Sequence, residues 1–431
     1  MKYFPILFHT LIIFSTLLYS FWGPMEYHNY NKSVVSLFIV GYLIVINSGF
    51  YLGVNSKRVV NNTGIRYNRI MIDIYHFFAI FSVLLYLLYF LYLFNIGRIN
   101  FSILSMGKAY VEYYKEYGTK TSLISIELIF ILLVAIPKYI AINLGFFYYN
   151  DLSKRFKRQL FLLLILIFIT QTLSAGNQKA VGDIVIFLFF FLIYKASKMD
   201  ITQRKKIIKR SLAIVSVMVI LFSYSQYDRV ATRNISVKNI NNEINSKIYK
   251  YDFNHPVFKI FGEKMGLGIS IFTTNYLSSG YYGLSKSMEL PFEWTYGIGN
   301  SVTLSSVTKA ITGIDVYKST YLNRMEKEFG IMGKRKWHTI FPWLASDFTF
   351  VGTIFIFFFI ALTYGIAWKE VIVYNNPVSY LMFILLSVMF TFVISNNQIF
   401  HGFDYFETST AIIVFWLFTH SKFNKINEGS N

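Results

Sequence analysis

The sequence predicts an all-α polytopic membrane protein of about ten transmembrane helices, with one large, mostly helical loop on the extracytoplasmic side. Three observations lead there. Hydrophobic residues make up 55% of the 431 positions, aromatics 19% and charged residues only 15%, with a mean hydropathy of +0.46. Soluble domains carry about 25% charged residues, so this chain lacks the side chains that a water-facing surface needs. The same figures exclude disorder, collagen and coiled coil. Apolar runs of about 20 residues, the length that crosses a bilayer, recur along the chain. A single long stretch, 226–347, has no such run yet is rich in Trp, Tyr, Phe and Leu.

The spans fall at 4–22, 33–54, 74–96, 122–148, 159–175, 181–196, 211–225, 348–368, 378–396 and 406–420. The run from Phe4 lacks a small-residue cleavage site and reads as a retained span. Pro137 and Lys138 interrupt the fourth run, which predicts a kink or an early end. Short loops rich in Lys and Arg face the cytoplasm. Loop 55–73 holds Lys57, Arg58, Arg66 and Arg69; loop 149–159 holds Lys154, Arg155, Lys157 and Arg158; loop 196–210 carries Lys198, Arg204, Lys205, Lys206, Lys209 and Arg210. They alternate with poorer loops at 23–32 and 176–180, which puts both termini inside and 226–347 outside.

The chain thus divides into an N-terminal bundle (1–225), a loop domain (226–347) and a C-terminal bundle (348–431). The loop domain holds 15 Lys or Arg and 10 Asp or Glu. Patterned stretches at 259–277 and 319–329 read as short helices with an apolar face.

The net charge of +19 lies largely in those short loops, where it sets orientation. It forms no basic face along which a nucleic acid would lie, so nucleic acid is not expected as a partner. Cysteine is absent, which removes disulfides, thiolate metal sites and a cysteine nucleophile. No P-loop, GxGxxG, HExxH or GxSxG occurs, and neither a metal nor a cofactor is expected.

Five segments carry candidate chemistry. WHTIFPWLASDFTFVG, 337–352, stands where the large loop re-enters the membrane. There His338 suits proton abstraction from a hydroxyl, and Asp347 suits orienting the imidazole; a belt of Trp337, His338 and Trp343 at headgroup depth is the alternative. SAGNQKAVGD, 174–183, sets Lys179 among small residues that let backbone N–H groups approach an anion; a snorkelling lysine in a tight turn is the alternative. In YDRVATR, 227–233, Arg229 and Arg233 are spaced i, i+4 and share a helix face, an arrangement suited to pyrophosphate oxygens or to lipid headgroups. The tract 276–296 offers Tyr281, Tyr282, Phe292, Trp294 and Tyr296, which either stack on sugar rings or form the core of the loop. Finally NNQIFHGFDYFE, 396–407, places His401, Asp404 and Glu407 in an outer turn, against substrate or simply solvated.

With these segments in place the chain resembles the O-antigen polymerases of the Wzy type, and more distantly the O-antigen ligases. The likeness covers the whole chain: ten to twelve spans, one large late loop and cytoplasmic ends. Its most specific part is His338 followed by Pro342, Leu344, Asp347 and Gly352, joined by GYYGLS at 280–285.

The resemblance implies a metal-independent glycosyltransferase of the bacterial inner membrane. It would transfer a growing glycan from undecaprenyl pyrophosphate to the terminal hydroxyl of a lipid-linked repeat unit in the periplasm. His338 would act on that hydroxyl with Asp347 orienting it. Lys179, Arg229 and Arg233 would hold the donor pyrophosphate. Tyr281, Tyr282, Trp294, Tyr296 and Trp337 would bind glycan. The partners implied are an undecaprenyl-pyrophosphate-linked oligosaccharide, membrane lipid and a polysaccharide chain-length regulator. An O-antigen ligase acting on lipid A–core, a transferase using lipid monophosphate sugars and a lipid-linked oligosaccharide flippase are the competing readings. Of these the monophosphate transferase would carry an acidic pair in the first outer loop, where 23–32 offers only Glu26.

Overall fold

The structure is a computed structural model that describes residues 1–57, 65–117, 126–235, 237, 240–243, 248–333 and 338–428. Eight helices come first: α1 (Phe4–Trp22), α2 (Lys32–Val54), α3 (Ile65–Asn95), α4 (Met106–Tyr117), α5 (Ile126–Phe147), α6 (Lys154–Ile167), α7 (Gln178–Ser197) and α8 (Ile201–Thr232). Five shorter ones follow: α9 (Ile240–Glu243), α10 (Pro256–Thr273), α11 (Ser279–Ser287), α12 (Val302–Thr312) and α13 (Tyr321–Phe329). The chain closes with α14 (Ile340–Tyr374), α15 (Pro377–Phe392) and α16 (Phe403–Glu428).

Among the described residues, eight helices are long and apolar enough to cross a membrane, and they coincide with eight of the ten expected spans. The ninth expected span is the 16-residue α15, and the tenth lies within α16. The protein is therefore an all-α, polytopic membrane protein.

Local chemistry starts these helices. Asn31, Asn177 and Asp200 each accept a backbone N–H from the first turn of α2, α7 and α8, which satisfies donors that a helix start leaves free. Asn376 does the same for α15, with Pro377 in the first turn, where its missing N–H costs nothing.

Packing is closest between α2 and α14. A Cβ on Gly53 would stand 2.1 Å from the Leu362 carbonyl oxygen, and one on Gly365 2.4 Å from that of Phe50. Gly49 and Gly53 form a small-xxx-small stripe that lets the two backbones touch, as membrane helices do where water cannot drive association.

The bundle has two distinct ends. At one, Trp368 Nε1 donates to the Lys2 carbonyl at 3.0 Å, and Tyr194 donates to Asn375 at 3.3 Å. There Lys198 and Lys369 also close onto Ile372 and Ser56. At the other end the loops 23–31 and 393–402 meet the segment between α8 and α14, while the loops 96–105 and 174–177 meet each other and the end of α8. Helices α8 and α14 run past the boundaries read from sequence, so this cap covers 233–339 rather than 226–347. The expected helices at 259–277 and 319–329 appear as α10 and α13, and α4 lies between the third and fourth spans.

The cap is not wholly outside the bundle. A short antiparallel pair, Met25–Tyr27 with Tyr249–Tyr251, sews it to the end of α1. From there α10, a π-helical turn at Thr274–Ser278 and α11 dip inward. The Tyr281 hydroxyl donates to the Ile13 carbonyl at 3.0 Å, nine residues from the cap end of α1, or about 13 Å of helix. Irregular backbone at such depth survives only when protein surrounds it, and Tyr281 is fully buried. Gly280 and Gly283 make that fit possible, since a Cβ on either would strike Ile394 or His338.

Candidate functional site

The elements facing the cap end bring some of the expected residues together and separate others. Asp347 is the best-connected. Its Oδ1 accepts the Thr295 hydroxyl and the N–H of Gly297 at 2.9 Å and of Gly299 at 3.4 Å. Its Oδ2 accepts the Asn300 backbone and side chain, both at 2.8 Å. Donors on both oxygens hold this carboxylate rigid, and here it fixes the loop 295–300.

On that loop Trp294 and Tyr296 are 58% and 70% exposed, with ring centroids 4.7 Å apart. Tyr296 holds a left-handed φ of 58°, a conformation rare for an aromatic residue and sustained only by surrounding contacts. Two bonds tie the loop to the neighbouring turn: Asn397 to the Asn300 carbonyl at 2.6 Å and Ser301 to the Phe400 carbonyl at 2.7 Å.

His338 does not share this site. It is 2% exposed, its Nε2 lies 2.9 Å from the Met332 carbonyl, and Gly283 of α11 covers its ring. The expected dyad is corrected accordingly: both Asp347 oxygens serve a loop about 50 residues earlier, and the acceptor seen at the imidazole is a backbone carbonyl. The two part because His338 precedes the start of α14, whereas Asp347 sits on the helix.

Lys179 starts α7 and is not free. Its ammonium lies 3.2 Å from Asp183 and 3.6 Å from Asp404, and 4.2 Å above the Tyr405 ring. Since Asp404 follows the turn 397–402, one continuous segment joins the Lys179 cluster to the aromatic loop.

Arg229 reaches the same region. Its guanidinium donates to the Gly176 carbonyl at 3.1 Å and to the Tyr276 hydroxyl at 3.3 Å, and lies 3.6 Å from the Tyr110 ring centroid. It thereby bridges the turn after the π-helical segment Phe168–Leu173 and the second such segment at 274–278. Gly176, with φ +62°, admits this closeness, because a Cβ there would come within 2.5 Å of α4 backbone. Arg233 instead caps α8 and is exposed, so the two arginines do not act as a pair.

Tyr281 and Tyr282, expected on glycan, are buried. Tyr281 lies in the bundle, and Tyr282 stacks on Tyr27 with centroids 4.7 Å apart. They are corrected to packing residues. Burial raises the Tyr27 phenol well above its ordinary value, so the ring stays neutral. Trp337 lies outside the described residues, as does Arg58 of the first basic loop.

Sequence reasoning missed one feature. Lys138, Lys179, Asp183 and Asp404 line a common cavity inside the bundle. The available signal was a lone lysine beside Pro137 in an apolar run, since ionisable residues within spans mark functional sites.

No family model matches this chain, and no curated protein or solved structure matches it.

Proposed function

We propose that the chain polymerises undecaprenyl-pyrophosphate-linked O-antigen repeat units at the periplasmic face of a bacterial inner membrane. One observation carries the reading: an exposed Trp294–Tyr296 pair, fixed by Asp347, stands on the end of the bundle that also holds the cationic Lys179 turn and Arg229. Sugar rings offer flat C–H faces that suit such rings, while their charged lipid carrier suits cations at membrane depth.

In the proposed reaction the acceptor hydroxyl attacks the anomeric carbon of the donor glycan. The bond from that carbon to the pyrophosphate oxygen breaks, and the electron pair leaves with undecaprenyl pyrophosphate. The hydroxyl proton passes to His338 and onward to solvent. For that step Gly283 and Met332 have to uncover the imidazole. Lys179, with Arg229, stabilises the charge gathering on the leaving pyrophosphate, which requires Lys179 to exchange a carboxylate partner for phosphate. The sugar–pyrophosphate bond supplies the energy.

A lipid-linked oligosaccharide transporter is the second reading, favoured by the charged cavity inside the bundle. The test is a gel of surface lipopolysaccharide from a deletion strain, its complement and a His338→Ala complement. Collapse of the ladder to core plus one repeat supports polymerisation. Core alone with lipid-linked polymer accumulating means ligase, and core alone with single units on the cytoplasmic face means transporter.

A further inference from the structure

The cavity holding Lys138 carries polar groups that the fold leaves unused. It measures about 140 Å³ and lies between α5, α7, α16 and the π-helical turn 168–173. On α5 its lining residues recur at three- and four-residue steps from Glu127 to Ile142, one stripe along about 22 Å of helix. Glu127 marks the cap end, so the cavity runs inward from the face that displays Trp294 and Tyr296.

Three groups stand out on its walls. Asp183 is 7% exposed, with the Tyr405 hydroxyl beside it and no donor in hydrogen-bond geometry at Oδ1; Glu127 is half-buried, and its Oε1 is likewise without a donor. Lys138 supplies a cation, yet the ion pairs to Asp183 and Asp404 belong to Lys179. Buried polar atoms without partners are expensive, and such groups converging on one space define the ligand that would fit it. The ligand must donate at two points and accept at one. An anion accepts everywhere and would face two carboxylates. A cation would face Lys138. An uncharged polyol satisfies all three.

The other walls agree with that choice. Tyr89 and Phe130 stack with centroids 4.1 Å apart, and Tyr139 and Tyr405 add further rings. These are apolar faces for the C–H side of a sugar. At about 30 Å³ per water molecule, the enclosed space equals four or five waters, too little for a chain.

We propose that this cavity is a binding site for a single sugar residue, with Asp183 and Glu127 accepting its hydroxyls and Lys138 donating to one of its oxygens. The site deepens the proposed function, resting on it only for the source of the sugar: the end residue of a lipid-linked glycan under polymerisation, or a free monosaccharide under transport.

The experiment is saturation-transfer NMR on the purified, detergent-solubilised full chain with D-glucose, D-galactose, N-acetylglucosamine, N-acetylgalactosamine and L-rhamnose. At least one sugar is expected to receive saturation. Ala135 lines the cavity, so Ala135→Phe fills it while keeping every charge and should abolish the signal. Asp183→Asn should weaken binding at least fivefold, and an unchanged gel-filtration profile verifies that each variant folds. Each measurement is made in the Trp294→Ala/Tyr296→Ala background as well, which removes the exposed aromatic platform; there the signal should persist and Ala135→Phe should abolish it. Absence of transfer from all five sugars, or transfer that survives Ala135→Phe in that background, would overturn the proposal. Because binding is read without polymerisation, a ladder that persists in the deletion strain would remove the polymerase reading and leave this site standing. Displacement of the bound sugar by extracted lipid-linked repeat units would assign the source to the lipid-linked glycan.

Discussion

Replacing Asp347 by Asn isolates the device that presents the aromatic pair. The substitution keeps size and shape and changes two oxygens into one oxygen and one NH2. If the NH2 occupies the Oδ2 position, it opposes both donors of Asn300, each now at 2.8 Å. If it occupies the Oδ1 position, it opposes the N–H groups of Gly297 and Gly299, while the Thr295 hydroxyl can turn to accept. Two donors lose their acceptor in either orientation. Hydrogen bonds to a charged partner contribute about 1.5–3 kcal/mol each, so the loop loses roughly 3 kcal/mol or more, a hundredfold rise in its open population at about 1.4 kcal/mol per decade. Hydrogen–deuterium exchange on the detergent-solubilised protein reads this directly. Amides 297–300 should exchange about a hundred times faster in Asp347→Asn, while those of α2 and α14 stay unchanged. Unaltered exchange at 297–300 would refute the role given to Asp347. A general rise would mean that the residue supports the whole fold rather than this loop.

Other outcomes follow from the same geometry. Gly53→Leu forces α2 away from the Leu362 carbonyl, and overpacking of this kind costs about 1–3 kcal/mol or more; thermal unfolding in detergent should begin at a clearly lower temperature, and Gly41→Leu, at a position with open space around it, should leave it unchanged. Arg229→Ala should speed amide exchange in 174–178 and 274–278 together, at a cost of about 2 kcal/mol for its two lost acceptors; Arg229→Lys should rescue only part, because an ammonium lacks the planar fork that spans Gly176 and Tyr276 over the Tyr110 ring. In a double-mutant cycle of Lys179→Met and Asp404→Asn the coupling should be about 1 kcal/mol, since both side chains keep some solvent exposure; additive effects would mean that the 3.6 Å contact is not energetically real.

The bundle was legible in the sequence because membrane helices need long apolar runs, and eight such runs reappear within long helices, of which α8 and α14 extend well past the expected bounds. The depth of the 256–287 segment was not legible. Its helices are too short and polar to resemble spans, and they enter the bundle only because protein, not lipid, encloses them. The candidate site divides along similar lines. Trp294 and Tyr296 lie exposed, whereas Tyr281 and Tyr282 in the same aromatic tract turned inward; aromatic content alone does not distinguish a surface from a core. Lys138 was conspicuous as a lone charge, but Asp183 and Asp404 approach it from α7 and α16, and no local pattern announces a meeting of three distant segments. The same limit applies to His338 and Asp347, whose partners come from Met332 and from residues 295–300.

The most direct test of polymerisation is reconstitution. The purified protein, placed in liposomes with lipid-linked repeat units extracted from the deletion strain and no nucleotide triphosphate, should convert single units into a ladder and release one undecaprenyl pyrophosphate for each linkage formed. Units that remain single, or that cross the bilayer unjoined, would contradict the assignment.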